Sequence, residues 1–474
     1  MPKPENILLE GPIIRSLLKL AIPIVLANIL QAGYQLIDAF WVGRLGGDAV
    51  AAVSVSTPVA FLTIALGAGF AIAGSTLIAQ YTGAGNHSMV NHIAGQTLLM
   101  IILISLVLGA AGFAFSPLFL KLLRVEPVVY EGALGFMRVS FIGLVFNFSF
   151  FVFQSIMRGI GKPTIPVYIV LGTVILNFIL DPILIFGRGP LPAMGVMGAA
   201  IATLTTQVIA AVTGFIILFR GNSGVHLQAI HFRPDLQVIR RAFYIGFPAS
   251  IEQSMRALGL MVMTFLIASF GTLTVASYGV GSNVLQVVLI PAMGLSMAIS
   301  ALAGQNIGAG NIHRAGRIGR TGGFLGFSIL TGIGILVYFT ANHLAAFFVP
   351  EDAAVIEGGA QFMRTMSLAW GFLGLQLCLT GVLRASGNMV TAMILTLISQ
   401  WVLQFPLAYV LSRHTSLGAQ GIWTAFPASN IIIALVTMGV YARGDWKKKR
   451  LTDEDDVLTT ETAREAAIEE GISK

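Results

Sequence analysis

An eight-residue stretch, AQYTGAGN at positions 79–86, returns as GQNIGAGN at positions 304–311, displaced by 225 residues. The same displacement carries Pro23 onto Pro248, Gly46 onto Gly271, and Val50 and Ala51 onto Val275 and Ala276. An offset that holds from Pro23 to Asn86 means two gap-free copies of one unit. Further along, Arg158-Gly159-Ile160-Gly161 meets Arg384-Ala385-Ser386-Gly387, and Gly195 and Gly198 meet Gly418 and Gly421. A chain duplicated in this way folds as two lobes of one plan, with a path between them when the copies are membrane-embedded.

The copies have the composition of a membrane protein. Hydrophobic residues make up 56% and charged residues 10%, against about 25% charge in soluble domains, and mean hydropathy is +0.84. Apolar runs of spanning length, roughly 20 residues, predict helices near 13–41, 50–79, 93–115, 131–157, 164–187, 196–219, 240–269, 274–304, 319–341, 353–383, 388–412 and 419–442. Alternating polar and apolar strands are absent, which argues against a barrel. The first apolar run follows Lys3, Arg15 and Lys19 and ends in no small-residue cleavage site, so it reads as a retained span. Cys378 is the single cysteine, which excludes an internal disulfide.

The fold class is therefore an all-α polytopic membrane protein, with twelve transmembrane helices in two pseudo-twofold-related six-helix lobes around a central cleft. The expected divisions are a first lobe at 1–222, a linker at 223–237, a second lobe at 238–443 and a charged tail at 444–474. With the N-terminus inside, predicted cytoplasmic segments hold 18 Lys and Arg residues, Arg384 among them, and outer segments hold five: Arg44, Lys121, Arg124, Arg188 and Arg413. The positive-inside rule then places both termini in the cytoplasm. This loop bias also explains the +7 net charge without nucleic acid as a partner. In the tail, Lys447, Lys448, Lys449 and Arg450 can meet anionic headgroups, and an acidic run follows from Asp453.

Ionisable side chains inside a span are costly and mark function by default. Asp38 ends a stripe of Asn28, Gln31 and Gln35, spaced to share one helical face. Tyr34 lies one turn before it, and Pro23 permits a kink. Asp181 follows Asn177 by one turn and precedes Pro182. Both acids fall in the outer half of their spans. If the spans are neighbours, two carboxyls share a low-dielectric pocket and can hold a proton or a small cation between them. The structural alternatives are a helix cap at Asp38 near Trp41 and an exposed Asp-Pro turn at Asp181. Glu252 has Arg256 four residues on, and this spacing favours a neutralised pair within one helix over a coupling site. The position matching Asp38 is Met263, so ion chemistry belongs to the first copy. Met255 and other Met and Phe side chains suit apolar ligands, although most read as packing.

No phosphate-binding lysine loop, nucleophile elbow or paired-histidine motif is present, so neither ATP hydrolysis nor another enzyme activity is expected. The Gly-Ala-Gly-Asn segments read as glycine caps and tight turns.

The paired Gln-x-x-Gly-Ala-Gly-Asn turns, Arg158-Gly-x-Gly and the acidic first span together resemble the multidrug and toxic compound extrusion (MATE) family over roughly residues 13–443. Pro23, Tyr34, Asp38, Gln154, Asn177, Asp181 and Thr203 fit its DinF-like branch. The resemblance implies a first-lobe cation or proton site at Asp38, Asp181, Asn177, Tyr34, Gln154 and Thr203, coupled to bending at Pro23. It makes Asp38, Asn177, Asp181 and Thr203 a candidate Na⁺ site. Gln154 stands where the branch often has asparagine, and second-lobe acids of other branches have no match.

The resulting expectation is a secondary antiporter of the plasma (inner) membrane. It exports cationic or amphipathic organic compounds in exchange for H⁺ or Na⁺, without a cofactor, and a two-lobed chain can work as a monomer. Asn28, Gln31, Gln35, Glu252, Arg256 and Met255 are candidates for the substrate cleft. A lipid-linked oligosaccharide flippase is the alternative.

Overall fold

The computed structural model describes residues 7–187 and 192–452; Lys3, Arg188 and the acidic run from Asp453 lie outside them. A one-turn helix, α1 (Ile7–Glu10), precedes the first lobe. That lobe comprises α2 (Ile13–Gly43), α3 (Gly47–Gly83), α4 (His87–Leu122), α5 (Pro127–Gly159), α6 (Thr164–Phe186) and α7 (Gly195–Arg220). The second lobe comprises α8 (Leu236–Ala268), α9 (Thr272–Gly308), α10 (Ile312–Phe348), α11 (Ala353–Ser367), α12 (Trp370–Ala385), α13 (Met389–Leu397), α14 (Phe405–Arg413) and α15 (Ala419–Arg443). No strand occurs among the described residues.

Eleven of these helical stretches are long and apolar enough to cross a membrane, counting Met389–Arg413 as one, and α11 with α12 forms a twelfth span bent by 52°. Hydropathy predicts the spans but not this break. It also misses the π-helical stretch Ile398–Gln404 that joins α13 to α14. Pro406 has no N–H for the carbonyl of Val402, and the widened turns before it accommodate the mismatch. Helices α3 and α9 outrun their predicted ends because glycines, rather than polar residues, reverse the chain: Gly46 has φ 107° and Gly271 has φ 97°.

The segment between the lobes is docked rather than extended. Gln96 of α4 donates to the carbonyls of His231 (2.8 Å) and Arg233 (2.6 Å) and accepts from the Asp235 N–H (3.0 Å). His92 meets Asp235 at 2.9 Å. Burial works to raise the Asp235 carboxyl, but hydrogen bonds from His92 and from the Val238 and Gln237 N–H groups hold it below the usual carboxylate range. Asp235 thereby caps α8, which begins at Leu236.

The lobes meet along a seam where α2 and α3 of one pack against α8 and α9 of the other. The duplicated motif makes the seam. Gly85 (φ 74°) and Gly310 (φ 79°) are turn glycines as expected. Gly83 and Gly308 do something that the cap reading misses. A Cβ on Gly83 would lie 1.8 Å from the carbonyl oxygen of Gln305, and one on Gly308 would lie 1.8 Å from that of Gln80. Each glycine thus receives the backbone of the other copy. The glutamines of the motif also cross: Gln80 donates to the Ala385 carbonyl (2.7 Å) and Gln305 to the Gly159 carbonyl (2.8 Å). These acceptors belong to the second repeated motif, so the two motifs interlock lobe to lobe.

The crossing contacts cluster where α3 and α9 end, here called the motif face. Towards the opposite face, Asn283 and Gln286 of α9 are exposed, and bare amides in mid-span are tolerated where a span lines water rather than lipid. The lobes are thus sealed against each other at the motif face, and polar side chains stand exposed on α9 beyond it.

Gly83→Ala and Gly308→Ala should part the seam to similar extents, since overpacking of this kind costs about 1–3 kcal/mol. Spin labels at His87→Cys and His313→Cys, both exposed, should report a longer lobe-to-lobe distance in each variant. An unchanged distance together with an unchanged melting temperature would contradict a seam that needs bare glycine.

Candidate functional site

The first lobe gathers α2, α6 and α7 around one polar pocket in the half of the bundle away from the motif face. Thr203 of α7 donates to Asp38 Oδ2 at 3.2 Å. Asn177 donates to Asp181 Oδ1 at 3.1 Å along α6. The Asp38 carboxyl is a close neighbour of Asp181 and Asn177. Thr206 donates to the Thr203 carbonyl at 2.8 Å, so the Tyr34 hydroxyl, 2.6 Å from Thr206 Oγ1, donates to it. Tyr34 is thus tied to α7 one turn from Thr203.

Both Asn177 and Asp181 are fully buried. Asp38 Oδ1, Asp181 Oδ2 and Asn177 Oδ1 are shut off from solvent and find no hydrogen-bond donor among the described residues. Trp41 packs near Phe178 and Phe186, with ring centroids 6.0 and 6.2 Å away, and forms an aromatic wall beside the acids. Two neighbouring carboxyls inside a low-dielectric pocket repel each other unless a positive charge lies between them. Buried oxygens without donors are the complement of such a charge. A proton bridging the carboxyls, or a small hard cation taking carboxylate, amide and hydroxyl oxygens, would satisfy them.

The pocket therefore contains Asp38, Asp181, Asn177, Tyr34 and Thr203. It excludes Gln154. Helices α5 and α7 run side by side, with Gly143 facing Leu204 and Gln207, and Gly214 facing Phe153. That register sets Gln154 level with Gly214, eleven residues beyond Thr203 along α7, or about 16 Å nearer the motif face. Thr206 is the residue that sequence reasoning missed; its signal was the three-residue spacing from Thr203, which puts both hydroxyls on one helical face. Pro23 lies within an unbroken α2. Asn28 and Gln31 continue the Asp38 stripe half-buried, and Gln35 is exposed.

The second lobe has no such pair. Glu252 is fully buried, and its nearest partner is Arg384 at 2.5 Å, with Thr396 at 3.1 Å and Arg256 at 3.4 Å. The expected pair within α8 is therefore the weaker contact. Arg384, assigned from the sequence to a cytoplasmic loop, reaches back from the end of α12 into the lobe. Two guanidinium groups on one carboxylate leave the cluster with net positive charge. Met255 is half-buried beside it, and Met263, at the repeat position of Asp38, is packed into the core.

Comparison with known proteins agrees with this architecture. The MatE family model matches residues 23–183 and 248–410, one segment in each lobe. Probable multidrug resistance protein YoeA of Bacillus subtilis (strain 168) is 29% identical over 444 residues, spanning 92% of this chain and 95% of that protein. A FAD transporter of Shewanella oneidensis is 28% identical over 448 residues, spanning 91% and 95%. The fold matches an outward-facing multidrug resistance MATE family transporter of the MOP superfamily with a TM-score of 0.87 at 23% identity, covering 94% of this chain and 99% of that one. The chain belongs to the MatE family, and it is a multi-pass membrane protein.

The charge balance around Glu252 separates a structural role from a coupling role. Glu252→Gln leaves two guanidinium groups, Arg384 mostly buried and Arg256 about a third exposed, without a counter-charge, at a cost reduced by that exposure to about 2–3 kcal/mol. Detergent-solubilised variant protein should melt well below the parent. An unchanged melting temperature with lost transport would instead make Glu252 a coupling residue.

Proposed function

We propose that this MatE-family chain is a secondary antiporter that expels amphipathic organic compounds, cationic ones among them, in exchange for H⁺ or Na⁺. The observation that carries this reading is the Asp38–Asp181 pair with two buried, undonated carboxyl oxygens and the undonated Asn177 Oδ1 beside them. The pocket supplies what a coupling ion needs: two carboxyls, the Asn177 amide, the Thr203 hydroxyl and an aromatic wall that excludes water. Names borne by the relatives, a multidrug resistance protein among them, support an organic substrate. They do not favour a lipid-linked oligosaccharide flippase.

The motif face is proposed as the cytoplasmic one, since the excess of Lys and Arg falls on that side. The sealed seam then corresponds to a state open to the outside. In that state the ion enters the first-lobe pocket and removes the repulsion between Asp38 on α2 and Asp181 on α6, so that the two helices can pack more closely there. Pro23 leaves the Lys19 carbonyl without its usual helical donor, so α2 can bend there when its outer half is drawn in. Coupling requires ion and substrate to favour opposite-facing states, because unequal affinity for two states is what moves the population. One inward charge provides about 2.3 kcal/mol per 100 mV, and each pH unit about 1.4 kcal/mol. That is enough for one decade or more of substrate gradient per ion.

Efflux of ethidium from liposomes containing the protein, under separately imposed pH and Na⁺ gradients, tests the assignment. One gradient should drive efflux, and Asp38→Asn and Asp181→Asn should each abolish the coupled component while the protein stays folded. Thr206→Ala, which frees Tyr34 from α7, should slow efflux by about tenfold, the loss of a hydrogen bond of about 1–1.5 kcal/mol. Undiminished coupled efflux by Asp38→Asn would overturn the site.

A further inference from the structure

Two segments that flank the duplicated unit do the same thing at equivalent places on the seam. Before the first copy, Leu8 of α1 is buried and occupies the hollow over Gly161: a Cβ there would lie 2.4 Å from Leu8 Cδ1. After the second copy, Leu451 is buried and occupies the hollow over Gly387, where a Cβ would lie 2.9 Å from Leu451 Cδ2. Gly161 and Gly387 are the repeat partners that close the Arg158-Gly-x-Gly and Arg384-Ala-x-Gly motifs. Both have left-handed backbones, with φ of 79° and 82°, which favours glycine and keeps the hollows open.

Each segment then crosses the seam with its backbone. Leu8 sits on the first lobe and its carbonyl accepts from Asn306 of the second at 3.3 Å. Leu451 sits on the second lobe and its N–H donates to Gln80 Oε1 of the first at 2.8 Å. Arg314 of the second lobe donates to the Gly11 carbonyl before the first, a further bond across the seam, while Arg450 donates to the carbonyl of Gly308 and holds its own segment on the second lobe, both at 2.5 Å. Trp446 anchors the second segment: it is buried, stacks on Tyr441 at 5.3 Å and donates to that residue's carbonyl at 3.0 Å.

The segments around Leu8 and Leu451 share no repeat pattern and lie outside the copied unit. Duplication left two equivalent hollows, and different stretches of chain have come to fill them. Helix packing alone does not account for that coincidence, because the seam helices already meet through Gly83 and Gly308. We propose that the two flanking segments are paired clasps: each joins the lobes across the motif face, and both must leave the Gly161 and Gly387 hollows for that face to open. The proposal rests on the alternating-access reading for its purpose, but the contacts can be tested without transport.

The test uses the full chain labelled at His87→Cys and His313→Cys, with Cys378 fully buried and out of reach of the label, and measures lobe-to-lobe distance by pulsed electron paramagnetic resonance. Leu8→Ala and Leu451→Ala should each raise the fraction of a longer-distance, face-open population about tenfold, as expected from removing most of a buried leucine. The double variant should raise it further. Charged variants, Leu8→Glu and Leu451→Glu, should exceed the alanine effect, and melting of each variant is followed in parallel. A distance distribution unchanged in all folded variants, even with lower melting temperatures, would overturn the proposal and make the segments simple stability elements. The antiport reading fails separately, through gradient-independent efflux of the parent protein.

Discussion

The carbonyls of Gln80 and Gln305 can lie against the α-carbons of Gly308 and Gly83 because neither glycine carries a side chain. The rest of the assembly follows from that close approach. In a bilayer, apolar side chains gain little by leaving lipid for a neighbouring helix, so association relies on close backbone contact and interhelical hydrogen bonds. Bringing α3 and α9 together supplies both. It puts the Gln80 and Gln305 amides within reach of the Ala385 and Gly159 carbonyls, which end α12 and α5. A seam formed by identical residues meeting crosswise is self-complementary, which is what a duplicated unit can provide without new sequence.

The two lobes share this seam and differ in their interiors. In the first, acids on α2 and α6 face each other with oxygens to spare. In the second, Met263 replaces one acid, and the remaining carboxylate, Glu252, is held by Arg384, Arg256 and Thr396. Two guanidinium groups on one carboxylate leave the second-lobe cluster net positive, which repels a further cation, whereas two carboxyls without a counter-charge attract one. This difference in charge accords with the proposed ion chemistry in the first lobe alone.

Much of this was legible in the sequence, and the failures are specific. The 225-residue offset, the span count and the matching depth of Asp38 and Asp181, away from the motif face, came from spacing and hydropathy alone. The motif glycines were visible but misread as turns only, because a close approach between copies depends on how the copies face each other. Gln154 was placed with the acids by resemblance, and the register of α5 on α7 removes it. Thr206 escaped because its one signal, the three-residue spacing from Thr203, gains meaning only when its partner, Tyr34, is known to be across from it. Arg384 was assigned to a loop because hydropathy windows follow the backbone, while a long guanidinium side chain can reach a turn or more back into the bundle. The 52° break between α11 and α12 has no proline to announce it.

The placement of Leu451 has a consequence for how the protein is made. Its hollow, over Gly387, is filled by chain that follows α15, and its hydrogen bond goes to Gln80 in the second span. Leu8, although synthesised first, waits for Asn306. The seam therefore cannot be completed until every span has been inserted. The hollow over Gly387 stays open until synthesis has passed residue 451, however early the seam helices themselves meet.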